Sequence, residues 1–115
     1  MKATIYHNPR CSKSRQTLAL LEEKDLELEI IEYLKAPLDE RTLNDVLSKL
    51  DMNPMDLMRK GESVFKELKL ADKADDTQAL VNAMVENPIL IERPIVLAND
   101  KASIGRPPES VLEIL

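Results

Sequence analysis

The chain has 115 residues, of which 43% are hydrophobic and 32% are charged, a composition typical of one soluble globular domain. Its formal net charge of −5 argues against proteins that bind nucleic acid or anionic membranes through a basic surface. No segment has the pattern of a secretory leader or of a membrane span. A single cysteine cannot form an intramolecular disulfide, so we expect a reducing compartment and a cytoplasmic protein.

The N-terminal third predicts a strand, a helix and a second strand. The β-prone run ATIY at 3–6 ends in the turn residues HNP, and good helix formers follow from Ser12 to about Lys24. The run LELEII then alternates in the manner of a half-buried strand.

The middle of the chain predicts helices. Asp39 is a candidate cap for a helix whose apolar residues, at 43, 46, 47 and 50, fall on one face. A short helix is expected for PMDLMRK at 54–60, with Gly61 ending it. Another helical turn or two is expected around 64–68.

The last third predicts one more helix, a hairpin and a terminal helix. Asp75 and Gln78 are spaced as a capping box for a helix that Pro88 ends. The runs IVLAND and ASIG predict two strands with a turn at Asn99 and Asp100. The final PPESVLEIL begins with prolines, which the first turn of a helix tolerates.

The predicted order is therefore β-α-β, several helices, and β-β-α. Without its central helices this is a thioredoxin-like α/β topology with a mixed sheet. We expect a single domain over 1–115 with a helical insertion at about 39–87 between the two halves.

The segment IYHNPRCSKSR contains the only histidine and the only cysteine of the chain. Cys11 is predicted at the start of a helix, where free N–H groups and the macrodipole favour an anion. His7 can assist as a hydrogen-bond donor or as a cation, and the hydroxyl of Ser14 can donate to a sulfur or an oxyanion. The alternative is an inert buried cysteine. The polar neighbours, which include the cations Arg10, Lys13 and Arg15, favour a reactive thiolate.

The residues that the chain lacks exclude several kinds of functional site. A CxxC dithiol would need a second cysteine at Ser14, and a phosphatase loop would need an arginine at Thr17. Two glycines are too few for a Walker loop or a dinucleotide fingerprint, and no metal site is expected from one cysteine and one histidine. A nucleophilic thiolate remains, which needs an outside thiol such as glutathione, regenerated by a glutaredoxin-like protein.

Three arginines lie next to residues that shape the backbone: Arg59 is near a glycine, and Arg93 and Arg106 each precede a proline. An isolated arginine is usually a surface residue. In a thioredoxin-like layout, however, the strand after an X-Pro bond runs beside the start of the active-site helix. We therefore expect Pro94 to be cis and Arg93 to lie near Cys11. Guanidinium groups are suited to clamp a tetrahedral oxyanion.

Four separated motifs, IYHNPRCSKSR, LMRK, NPILIERPIV and GRPPESVLEIL, resemble the glutaredoxin-coupled arsenate reductases along nearly the whole chain. The resemblance implies a thioredoxin-like fold with no bound cofactor. It implies arsenate as substrate, glutathione as co-substrate and glutaredoxin as protein partner. The implied reaction reduces arsenate to arsenite through a covalent arseno-cysteine intermediate.

The same resemblance implies roles for six residues. Cys11 is the nucleophile, and His7 and Ser14 match residues that lower the pKa of its thiol. Three arginines bind the arsenate and stabilise the covalent adduct: Arg59, Arg93 and Arg106.

Two other functions stay open on the same fold. One is a glutathione-dependent thiol reductase with another substrate. The other is a non-catalytic regulator resembling the thioredoxin-like proteins that bind bacterial RNA polymerase. Those regulators typically carry a CxxC switch, and Ser14 replaces its second sulfur here.

Overall fold

A computed structural model describes all residues, 1–115. The chain separates into two compact units, one formed by Met1–Ala36 with Arg93–Leu115 and the other by Pro37–Glu92. A single domain with an insertion at about 39–87 stays a prediction. No helix has both the length and the apolar character that a membrane crossing requires.

The first unit contains four strands: β1 (Lys2–His7), β2 (Glu27–Glu32), β3 (Ile95–Ala98) and β4 (Lys101–Ile104). They form a mixed sheet in the order β2-β1-β3-β4. Strand β1 runs parallel to β2 and antiparallel to β3, and β3 is antiparallel to β4. Helix α1 (Ser12–Glu22) connects β1 to β2, and the 3-10 helix Pro108–Ile114 packs against α1 and β4. The predicted thioredoxin-like α/β fold is confirmed.

A two-residue turn joins β3 to β4, as predicted. Asn99 and Asp100 both have positive φ, 53° and 62°, the backbone that a type I′ hairpin turn requires and that Asn and Asp tolerate. The Asn99 side chain also donates a hydrogen bond of 2.8 Å to the carbonyl of Ile114, which fastens the hairpin to the end of the chain.

An aliphatic core joins the sheet, α1 and the C-terminal 3-10 helix. Its members alternate along β1 and β3, as expected for residues that share one face of a sheet. Burying each large aliphatic side chain contributes about 1.5–3 kcal/mol to folding. The buried members of this core are Ala3, Ile5, Leu21, Val96, Ala98, Val111 and Ile114.

The second unit is helical, and α2 (Glu40–Leu50) and α3 (Pro54–Leu57) both contact α5 (Thr77–Glu86). The predicted cap of α2 is confirmed, because Asp39 Oδ1 accepts a 2.7 Å hydrogen bond from the N–H of Thr42. The other elements of this unit are α4 (Ser63–Glu67) and the 3-10 helices Leu70–Lys73 and Pro88–Leu90.

The expected helix over 54–60 is shorter than predicted, since α3 ends at Leu57 and not at Gly61. The chain after Leu57 is extended and pairs with the segment that precedes β3. The N–H of Arg59 donates to the carbonyl of Leu90 at 2.7 Å, and the N–H of Glu92 donates to the carbonyl of Leu57 at 2.8 Å. These long-range backbone bonds outweigh the local helical propensity.

The predicted cap of α5 is displaced by one residue. Asp76, not Asp75, is the cap, and its Oδ1 accepts a 3.1 Å hydrogen bond from the N–H of Ala79. Gln78 does not complete a capping box, because its side-chain amide donates instead to Glu40 at 2.8 Å.

The end of β4 approaches α1 closely at Gly105. The Arg93–Pro94 peptide is cis, as predicted, and the N–H of Gly105 donates to the Pro94 carbonyl at 3.0 Å. A Cβ at position 105 would overlap Oγ1 of Thr17 and lie 2.8 Å from Cγ of Pro94. Thr17 is fully buried, so it cannot swing into solvent. The position therefore requires glycine.

We expect Gly105→Ala to lower the free energy of unfolding by about 1–3 kcal/mol, because the added methyl overpacks this contact. Gly61→Ala is the control, since a Cβ at Gly61 meets nothing within 4 Å. Adding Thr17→Ala to Gly105→Ala should cost less than the two single losses summed. Equal urea midpoints for the two glycine variants would contradict this account.

Candidate active site

Cys11 lies where the chain turns from β1 into α1. Its N–H donates to the carbonyl of Asn8 at 3.0 Å, and its own carbonyl accepts the N–H of Arg15 at 3.0 Å. The residue is the N-cap of α1, with extended backbone (φ −95°, ψ 123°), and is 8% exposed. The sulfur is thus held at the positive end of an eleven-residue helix.

The surroundings lower the pKa of the Cys11 thiol below its ordinary value. Burial of the sulfur raises its pKa. Three groups lower it by more than burial raises it: the backbone N–H of Ser14, the guanidinium of Arg93 and the backbone N–H of Lys13. A thiolate, not a thiol, is the nucleophile in cysteine chemistry. The site therefore favours the reactive form.

Two of the three predicted arginines lie with Cys11 in the first unit. Arg93 lies two residues before β3, and its guanidinium faces the sulfur. Nη2 of Arg106 donates to Sγ of Cys11 at 3.6 Å, and Nε of Arg106 donates to the carbonyl of Arg93 at 2.8 Å. The backbone of one arginine therefore orients the side chain of the other, and both guanidinium groups lie beside the thiol.

His7 and Ser14 form a buried hydrogen-bonded pair beneath the β1–α1 turn. Nδ1 of His7 lies 2.6 Å from Oγ of Ser14, and that oxygen also accepts the N–H of Asn8 at 3.0 Å. Burial is the main cause of a lowered His7 pKa; Glu32 opposes it and Arg15 adds to it. His7 is thus neutral near pH 7, and its tautomer decides which of the two groups donates the hydrogen bond.

This pairing indicates how the two residues can act, and their part in lowering the pKa of the Cys11 thiol stays a prediction. A neutral His7 does not act on the sulfur as a cation. The Ser14 hydroxyl is engaged by His7 and Asn8, so Ser14 acts on the sulfur through its backbone N–H.

The third predicted arginine, Arg59, belongs to the second unit. Its Nη1 donates to Glu92 at 2.8 Å and its Nε donates to Glu62 at 3.4 Å. Burial lowers the pKa of Arg59, but the two carboxylates raise it more. Sequence reasoning missed both acidic partners. The three-residue spacing to Glu62 is a local signal that can reveal one of them, whereas nothing local indicates Glu92.

Known proteins resemble the chain over its full length. A family model described as the ArsC family matches residues 6–114. The chain is 59% identical over 112 residues to "Uncharacterized protein YfgD" of Escherichia coli, covering 96% of this chain and 94% of that one. It is 49% identical over 117 residues to an arsenate reductase of Haemophilus influenzae, covering 100% of both. The fold matches an arsenate reductase of Vibrio cholerae with a TM-score of 0.95 at 48% identity, covering 100% and 98% of the two chains.

We expect Arg93→Gln to raise the pKa of Cys11, because it removes a guanidinium that stabilises the thiolate. Arg106→Gln should raise it less, since its N···S contact is long at 3.6 Å. The rate of alkylation by iodoacetamide, measured against pH, reports this pKa directly in a chain with one cysteine. An unchanged midpoint in Arg93→Gln would refute the assignment, and Lys101→Gln serves as the distant control.

The neutral, buried His7 should also make folding stability depend on pH. Its folded pKa is lowered from 6.5, so the unfolded chain takes up the proton first as pH falls. The stabilisation is complete above about pH 6.5 and is lost as pH falls towards the folded pKa.

His7→Asn keeps a polar side chain that can donate to or accept from Ser14, but it removes the titration. We therefore expect the difference in unfolding free energy between wild type and His7→Asn to shift in favour of the variant as pH falls through this window. Urea unfolding at several pH values measures it. A difference that stays constant with pH would rule out the neutral ring.

Proposed function

Because this chain belongs to the ArsC family, we propose that it is an oxidoreductase that reduces arsenate to arsenite, with Cys11 as the nucleophile. The observation that carries the proposal is a lone thiol of lowered pKa beside the guanidinium groups of Arg93 and Arg106. The similarity to arsenate reductases at 49% and 48% identity across whole chains supports the substrate.

In the proposed first step, the Cys11 thiolate attacks arsenic(V) and forms an S–As bond. One arsenate hydroxyl takes up a proton and leaves as water. Arg93 and Arg106 neutralise the negative charge on the remaining oxygens, which is the role of preorganised donors around an oxyanion. Arsenic stays in its +5 state during this step.

Reduction then needs thiols from outside, because the chain has no second cysteine. Glutathione displaces a second arsenate hydroxyl as water and forms another S–As bond. A glutaredoxin thiolate attacks the glutathionyl sulfur, an S–S bond forms, and the electron pair of the broken S–As bond reduces arsenic to its +3 state. Water then cleaves the bond to Cys11, and arsenite leaves.

Arg59 is proposed as a third guanidinium for the oxyanion, on the strength of the LMRK motif. Glu92 and Glu62 fix the orientation of its side chain. They also keep it fully protonated, since both raise its pKa. Orientation by fixed partners reduces the entropy that an arginine loses when it binds an anion.

The test is arsenite production from arsenate with glutathione and glutaredoxin. We expect Cys11→Ser to reduce the rate to that of the uncatalysed reaction. Arg93→Gln and Arg106→Gln should each lower kcat/KM by about 100-fold, the usual effect of losing one donor to a developing oxyanion. Lys101→Gln should match the wild type.

Other results would identify a different function. Thiol turnover without arsenite production would show a glutathione-dependent reductase of another substrate. Capture of RNA polymerase by a protein without turnover would show a regulator. Arsenite production supported by thioredoxin but not by glutaredoxin would leave arsenate reduction in place and replace the electron donor.

A further inference from the structure

We infer that a cleft beside the β1–α1 turn binds the small thiol co-substrate through its carboxylate and ammonium groups. This inference rests on the proposed function for the need of such a thiol. The cleft has a volume of about 320 Å³, within the range of small-molecule sites. One wall is the turn His7–Arg10, and the other is formed by Glu32, Leu34 and Lys35.

The cleft adjoins the turn that leads into Cys11. Arg10 lines it and is the residue before Cys11, and Asn8, which also lines it, accepts the Cys11 N–H at 3.0 Å. A tripeptide-sized ligand lying in the cleft thus contacts the residue that directly precedes Cys11. In the inferred complex the ligand extends from the cleft past Arg10, so that its thiol meets the group attached to Cys11.

The charges of the cleft match a zwitterionic peptide. Arg10 is exposed and Lys35 has an 81% exposed side chain, so both can turn towards a ligand carboxylate. The Glu32 carboxylate lies 3.5 Å from Nζ of Lys35 and is suited to an ammonium group. Leu34 is 40% exposed and offers an apolar surface to the ligand backbone. Glutathione carries two carboxylates and one ammonium group.

The sheet order separates this cleft from the arginines that flank the sulfur. Strand β2 leads into Leu34 and Lys35 and lies on one side of β1, whereas β3 and β4, which carry Arg93 and Arg106 at their ends, lie on the other. The peptide thiol and the oxyanion therefore approach Cys11 from opposite sides. Each can bind without displacing the other, as an attack on a bound arsenic adduct requires.

The test measures thiol exchange at Cys11 without arsenate. Cys11 is first converted to its mixed disulfide with 2-nitro-5-thiobenzoate. An added thiolate then attacks the Cys11 sulfur, a new disulfide forms, and the coloured thiobenzoate leaves as the thiolate. The rate is compared for glutathione and for 2-mercaptoethanol, which carries no charged groups.

We expect Arg10→Gln with Lys35→Gln to slow exchange with glutathione by about 10-fold at low salt, since two attractive charges at the rim are removed. Exchange with 2-mercaptoethanol should change by less than about twofold, because the sulfur itself is untouched. The matched control is Lys24→Gln with Lys101→Gln, which removes the same charge away from the cleft and should behave as wild type.

Equal slowing for both thiols, or no slowing for glutathione, would overturn the inference. Slowing by the control pair would overturn it too, since net charge alone would then explain the effect. These outcomes are independent of arsenate, so a protein that fails to reduce arsenate can still confirm or refute the cleft.

Discussion

The site depends on the hydrogen bonds of one buried hydroxyl. Oγ of Ser14 accepts the N–H of Asn8 and lies 2.6 Å from the ring of His7, so a residue in the first turn of α1 holds the end of β1. This fixes the turn that carries Cys11. The sulfur then faces the N–H groups of Ser14 and Lys13, and the helix stabilises the thiolate without a dedicated base.

The fold could be predicted where the signals were local. Asp39 precedes an apolar helical face, and it was confirmed as the cap of α2. Asn99 and Asp100 separate two β-prone runs, and they were confirmed as the turn between β3 and β4. The prediction failed after Leu57, because the backbone there pairs with a segment more than thirty residues later. The bond from Arg59 to Leu90 leaves no trace in the local pattern of residues. Tertiary pairing overrides propensity in such segments.

The candidate site divides in the same way. Cys11 and Ser14 belong to one short motif, and that motif alone predicts that a helix begins next to the cysteine. The approach of Arg93 to the sulfur followed from topology, because β3 lies beside β1. The bond from Arg106 to the Arg93 carbonyl was not predictable, since it needs the path of the chain after β4. The carboxylates on Arg59 were missed because charge pairing across the chain has no sequence period.

The single histidine has a practical consequence for experiments on this protein. Its ring shares a hydrogen bond with the residue whose backbone faces the nucleophile. The ring of His7 therefore gives one isolated set of imidazole resonances, free of overlap, at the base of the reactive turn. Its chemical shifts can follow the attachment of a group to the Cys11 sulfur, and the release of that group, in real time and with no label added to the protein.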